Sequence, residues 1–278
     1  MIALATAGAW HGRLELSFKR RGAGTRLARS YARMPLAVQR PFYPEGDGVC
    51  HVVILHPPGG MVGGDRLEID VDLAENSAAL LTTPSAAKWY RGERPADQRV
   101  RARVGRDAHL EWLPLETIVF DGAQARQALT VELAPGASFL GWEITRFGRS
   151  HHGERFTRGH WRAATEVWRN GRPLLVDRQQ LAGGSALLTG AYGLAGQAVA
   201  GSLVYVGDAV EAGFVEQLRA LPAAAEGDSG VTRLADGLLC RYRGASSSAA
   251  RDWLTAVWDA IRRHTRQRPA QSPRIWRT

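Results

Sequence analysis

The chain has 278 residues, 45% of them apolar and 23% charged, an ordinary balance for a globular protein with a substantial core. No run of about 18 apolar residues offers a membrane-spanning helix, and two distant cysteines, Cys50 and Cys240, fit a reducing cytoplasm better than a disulfide framework. The formal charge of +9 is nearly all arginine, since Lys19 and Lys88 are the only lysines, and the arginines are dispersed, which argues against nucleic acid.

The opening MIALATAGAW has no basic start and is cut short by His11 and Arg13, so no signal peptide is expected. Residues 14–18, LELSF, alternate like a half-buried strand. After turns at Gly22 and Gly24, the segment PLAVQRPFYPEG (35–46) leads to a largely apolar strand, VCHVVILH (49–56). Next comes LHPPGGMVGGDRL (55–67), in which Pro57 and Pro58 restrict φ while Gly59, Gly60, Gly63 and Gly64 relax it. This is a shaped loop between strands. It does not hold phosphate, because Asp65 and Arg66 follow where a P-loop needs Lys and a hydroxyl.

Leu67, Ile69, Val71 and Leu73 alternate with acidic residues in a clean strand, and Leu80–Thr83 continue it. Arg99, Arg101 and Arg103 alternate with Val100, Ala102 and Val104, which predicts a strand with a basic outer face. Further strands are predicted at 109–113, 117–120, 128–133 and 139–147, and Asn170-Gly171 marks a hairpin. Turn chemistry roughly every ten residues predicts an all-β-dominated, large and irregular antiparallel architecture, sandwich-like or helicoid-like, with no visible internal repeat.

Helices are expected only in the C-terminal third. Asp208 and Glu211 resemble a capping box ahead of Val210, Phe214, Leu218 and Leu221, with a polar gap at 226–230. A second helix begins at Ser246–Ser248 and carries Leu254, Val257, Trp258 and Ile261 on one face.

No hydrolytic, redox or paired-cysteine motif is present, so the chain reads as non-catalytic. His51 and His56 are five apart on a strand and diverge, as do the adjacent His151 and His152. Cys50 reads as a buried apolar residue, and the His- and Arg-rich segment 146–162 as a solvated loop, an interface or a transient metal site. More telling are carboxylates inside apolar strands: Glu143 and Asp177, with Glu116 and Asp121 flanking TIVF. An unpaired charge there is costly. Either they pair with an arginine such as Arg146, Arg149 or Arg178, or they line a water-filled passage, whose oxygen ligands would admit and release a divalent cation. The arginines read as a docking surface for acidic partners or as a solvated face.

The motif HPPGGxxGGD (His56–Asp65) followed by Thr82, Thr83, Pro84, Ala86, Lys88, Tyr90 and Arg91 resembles the urease accessory protein UreD (UreH) family. The likeness extends through QRPFYPEG (39–46), Leu110–Ala123 with Glu116, Gly141–Arg149, the residues Gly153, Glu154 and Phe156, and the terminal PRIW. Met34 and Leu115 depart from the family pattern. The resemblance implies one domain over 1–278, cytoplasmic, without nucleic-acid or membrane partners. It also implies an assembly factor that binds the urease apoprotein and UreF, and through UreF the GTPase UreG. No tightly bound cofactor is implied; nickel would pass through transiently, with Asp65, Glu143 and Asp177 as candidate path residues. The competing class is a basic nucleic-acid-binding or general protein-docking β module.

Overall fold

In the computed structural model, residues 8–149, 153–222 and 227–277 are described. Eighteen strands and two α-helices lie along them. The outer sheet contains β1 (His11–Arg21), β2 (Gly24–Arg33), β6 (Arg66–Leu73), β9 (Ala96–Val104), β12 (Gln124–Leu133), β14 (His160–Arg169) and β15 (Arg172–Ala182). The central sheet contains β3 (Ala37–Val38), β4 (Cys50–Leu55), β7 (Ala78–Thr82), β10 (His109–Leu113), β13 (Ser138–Phe147), β16 (Val199–Val206), β17 (Gly227–Leu234) and β18 (Gly237–Gly244). Three short strands, β5 (Gly60–Met61), β8 (Ala87–Trp89) and β11 (Thr117–Val119), form a narrow third side joined to β13.

The expected dominance of strands, with helices late, holds. The pairing is mixed rather than antiparallel throughout. The chain crosses from outer sheet to central sheet and back, β6 to β7, β9 to β10, β12 to β13, so successive strands of each sheet run parallel. Antiparallel pairing is kept where neighbours are joined directly or near the edges, as in β1–β2, β14–β15 and β16–β18. The β14–β15 hairpin turns on Asn170 and Gly171, both with positive φ, as the Asn-Gly signal requires.

Winding of this kind is a structural repeat that the sequence hides. Leu73, Val104 and Leu133 stand in register on three successive coils, as do Val71, Ala102 and Val131. The coils turn through four-residue arches, 74–77, 105–108 and 134–137. The third residue of each, Asn76, Asp107 and Gly136, has positive φ, a conformation that Asn, Asp and Gly tolerate best. The arches stack by hydrogen bonds, the Asn76 amide donating to the Arg106 carbonyl and the Asp107 amide to the Pro135 carbonyl.

Strand alternation gives the central sheet two buried faces. One packs with Leu14, Leu16, Ile69, Val71, Val100 and Val131 of the outer sheet. The other carries Leu80, Leu140, Trp142 and Leu203 against α1 (Ala212–Arg219) and α2 (Ser247–Arg266). Ser246 caps α2, its side chain accepting from the Ala249 amide, as expected. The capping box at α1 does not form: Glu211 is the N-cap residue and makes no side-chain cap bond. Part of the expected polar gap is strand β17, whose Gly- and Ser-rich sequence has little intrinsic β preference and is held by β18.

Candidate functional site

Alternation along β13 decides where Glu143 goes. Leu140, Trp142 and Ile144 face the helices, so Gly141 and Glu143 face the outer sheet. There they border a partly open cavity of about 80 Å³ between the sheets, with Gln98, Gln127, Thr117, Thr165, Ser202 and Asp177 among its polar lining. Glu143 keeps some accessible surface although it lies deep in the body, because this cavity adjoins it. The Thr145 hydroxyl donates to it at 3.4 Å, and among the described residues no arginine forms an ion pair with it, although the Arg241 charge is near enough to offset part of the cost of its ionisation. Burial raises its carboxyl to about 7, with the neighbouring Asp177 charge adding to the rise.

Asp177 comes from the opposite sheet. On β15 it shares the inward face with Leu175 and Leu181, and it accepts a hydrogen bond from Arg241 of β18 at 2.7 Å. The ion pair ties the two sheets together. Asp177 and Arg241 also border an open groove of about 730 Å³, lined by Trp161, Tyr192 and Arg243, so one carboxylate belongs to both the inner cavity and the outer groove. The polar residues that sequence reasoning did not single out, Gln98, Gln127 and Ser202, carry no signal except their places in strands.

Asp65 lies elsewhere. It does not border the cavity; its carboxylate is buried at the base of the glycine loop, accepting from the Trp10 amide at 2.8 Å and the Val62 amide at 2.9 Å. His56 is beside it, its pKa lowered by burial and partly restored by the Asp65 charge. Pro57 and Pro58 are exposed at the loop's outer bend, and Gly59 and Gly64 take positive φ. Gly60 and Gly63 are needed for close approach. A Cβ at Gly60 would strike the Tyr90 ring and the Lys88 backbone, and one at Gly63 would meet the Arg94 carbonyl.

The remaining motif residues continue this third side as a stack. Gly60 pairs with Lys88, Lys88 with Ile118, and Ile118 with Arg146 across β5, β8, β11 and β13. Tyr90 meets the Phe120 ring edge-on at 4.9 Å, and the Arg149 guanidinium lies over that ring, 4.7 Å from its centroid, while bonding Glu154. Arg91 bridges to Ala123. Glu116 bonds Arg251 of α2 at 3.1 Å. Asp121 accepts from Thr157 and Arg158; burial opposes its ionisation, yet these donors hold it down to about 2. Three of the four strand carboxylates are therefore paired, with Arg241, Arg251 and Arg158 rather than the arginines expected. Glu143 is the exception.

One cluster went unnoticed in the sequence. Under α2, Arg262 forms ion pairs with Glu45 at 2.8 Å and Glu111 at 3.0 Å, the three side chains being buried. Glu111 also accepts from the Trp258 indole, and His51 and His109 complete the group against Glu45 and Glu111. Burial works against the Glu111 charge, but His109 and Arg262 hold its carboxyl at about 2. The signal was an arginine one position after Ile261, on the apolar side of a helix, and a glutamate inside HLEWL.

Cys50 and Cys240 are both buried and free. His151 and His152 lie outside the described residues. Among the described residues no group of three His, Cys, Asp or Glu side chains is arranged to hold a metal ion.

A two-sheet winding β body, capped by helices and bearing a polar cavity at its heart, thus defines the class. Residues 11–277 match the family model described as UreD urease accessory protein. The chain is similar to the urease accessory protein UreD of Trichormus variabilis, 52% identical over 97% of this chain and 96% of that protein. It is also similar to the proteins of that description in Acaryochloris marina, at 53% over 96% and 95%, and in Azoarcus, at 46% over 97% and 94%. The chain belongs to the UreD family of urease accessory proteins.

Proposed function

We propose that this protein serves urease maturation as a non-catalytic scaffold and conducts nickel, as cargo, through the cavity between its sheets. The observation that carries this reading is Glu143: an ionisable group in the interior, facing a polar cavity, in no ion pair among the described residues, with the nearby Arg241 charge committed to Asp177. A buried carboxylate without a counter-charge is expensive to keep, and it becomes favourable when a cation stands beside it. Asp177 supplies the second oxygen donor and borders the outer groove as well. Oxygen ligands of this kind hold a divalent ion loosely enough to release it. In this reading Asp65 acts on the route indirectly, by shaping the glycine loop.

The urease apoprotein, UreF and, through UreF, UreG are the partners this reading requires, and the cytoplasm its compartment. No helix among the described residues is long and apolar enough to cross a membrane. A nickel-limited urease maturation assay with Glu143→Ala is the test. The expected result is lower activation, with the variant still co-purifying with its partners. Full activation by the variant overturns the conduit, and loss of co-purification reassigns Glu143 to assembly.

A further inference from the structure

The outer face of the outer sheet is a lattice of charge, and part of it is neutralised internally. Arg13 reaches Glu15 and Asp70, Arg101 pairs with Asp70, Arg103 with Asp72, and Arg178 with Glu166. One corner is left without internal neutralisation. Arg126 of β12 and Arg162 of β14 stand directly opposite each other in the parallel register, both exposed. Among the described residues neither has an ion-pair or hydrogen-bond partner, although Asp97 lies across from Arg126 on the other side. Like charges facing each other across neighbouring strands, about 5 Å apart, destabilise a sheet. Nothing in the packing requires them, since both side chains point away from the core.

Between and beside them runs a shallow groove of about 540 Å³, bordered by Arg126, Arg162 and Arg178, with Ala164 and Gln180 alongside. A smaller recess adds His160. Small residues at Ala128 and Ala164, in register between Arg99 and Arg178, leave the sheet surface open to an incoming chain.

We propose that Arg126, Arg162 and Arg178 form a docking site for a short acidic segment of a partner protein. Planar guanidinium groups bind carboxylates bidentately, and an incoming anion relieves the repulsion between the facing pair. Charge distribution favours a peptide over nucleic acid. A duplex contact engages several phosphates along a continuous basic track, whereas here Glu68, Asp70, Asp72, Glu132 and Glu166 interrupt the same face. The facing pair spans two strands, with Arg178, already shared with Glu166, on a third, the reach of a few acidic side chains. This inference is independent of the nickel route.

The test uses the full chain and a fluorescein-labelled hexaglutamate peptide, with binding followed by anisotropy at low and moderate salt. Wild-type protein binds, and Arg126→Glu/Arg162→Glu weakens binding about tenfold or more. The neutral pair Arg126→Gln/Arg162→Gln weakens it in the same direction. An equal charge change at exposed residues elsewhere, Arg21→Glu/Arg29→Glu, leaves it within about twofold. Equal loss in both charge-reversed variants would mean a general field and overturns the site. So does absence of peptide binding by wild-type protein, or stronger competition from a single-stranded oligonucleotide of the same charge.

Discussion

At the scale of single residues, two carboxylates that look alike in sequence do opposite things. Asp65 is buried and accepts from two backbone amides, those of Trp10 and Val62, so Asp65→Ala should cost about 2–4 kcal/mol, read as a lower urea midpoint with an unchanged slope. Glu143 is costly to the fold. Its folded pKa, about 7, lies above the ordinary value of 4.5, so the native state holds a proton that the unfolded chain releases. Stability contributed by that proton is full at low pH and is lost as pH rises from about 4.5 to 7. Glu143→Gln should therefore leave stability unchanged near pH 4 and raise it above pH 7, by at most roughly 3 kcal/mol. Equilibrium denaturation at the two pH values measures the difference.

At the scale of elements, α2 is held by charge as well as by its apolar face. Arg262 sits between Glu45 and Glu111 with 1% of its side chain exposed. Removing it strands two buried carboxylates, and Arg262→Ala should destabilise by about 3–5 kcal/mol. Limited proteolysis should then cut first within α2. Because Glu111 is held at about 2 against an ordinary 4.5, its contribution is present above pH 4.5 and fades as pH falls towards 2. The arches make a second element-level prediction. A Cβ at Gly136 would collide with the Asp107 carboxylate at a positive φ of 71°. Gly136→Ala should lower the melting temperature, whereas Asp107→Gly, which keeps φ > 0 and removes the obstacle, should be nearly neutral.

For the whole molecule, local signals were legible and long-range ones were not. Alternation placed β6, β9, β10 and β13 within a few residues, and Asn170-Gly171 located the hairpin, because these depend on side chains two or three positions apart. The parallel winding escaped notice because its coils share only a pattern of apolar positions and a left-handed third arch residue. Asn76, Asp107 and Gly136 satisfy that requirement with three different side chains. In the site, the inward turn of Glu143 and Asp177 follows from strand parity, but their meeting depends on two sheets whose pairing no short-range rule sets. Arg241 as the partner of Asp177, 64 positions away, lay beyond that reach for the same reason.

The bond from Arg262 to Glu45 spans 217 positions. During synthesis the central sheet can therefore begin to wind long before its helical cover has left the ribosome, with Leu80, Leu140 and Leu203 on a bare face and Glu45 and Glu111 without their counter-ion. A chain ending at Gly244 should accumulate as aggregate, and supplying residues 245–278 as a separate peptide during refolding should recover soluble protein. Half-made copies of this protein are thus its most adhesive form, and the α2 segment, translated after every strand of the sheets, is the one that makes it safe.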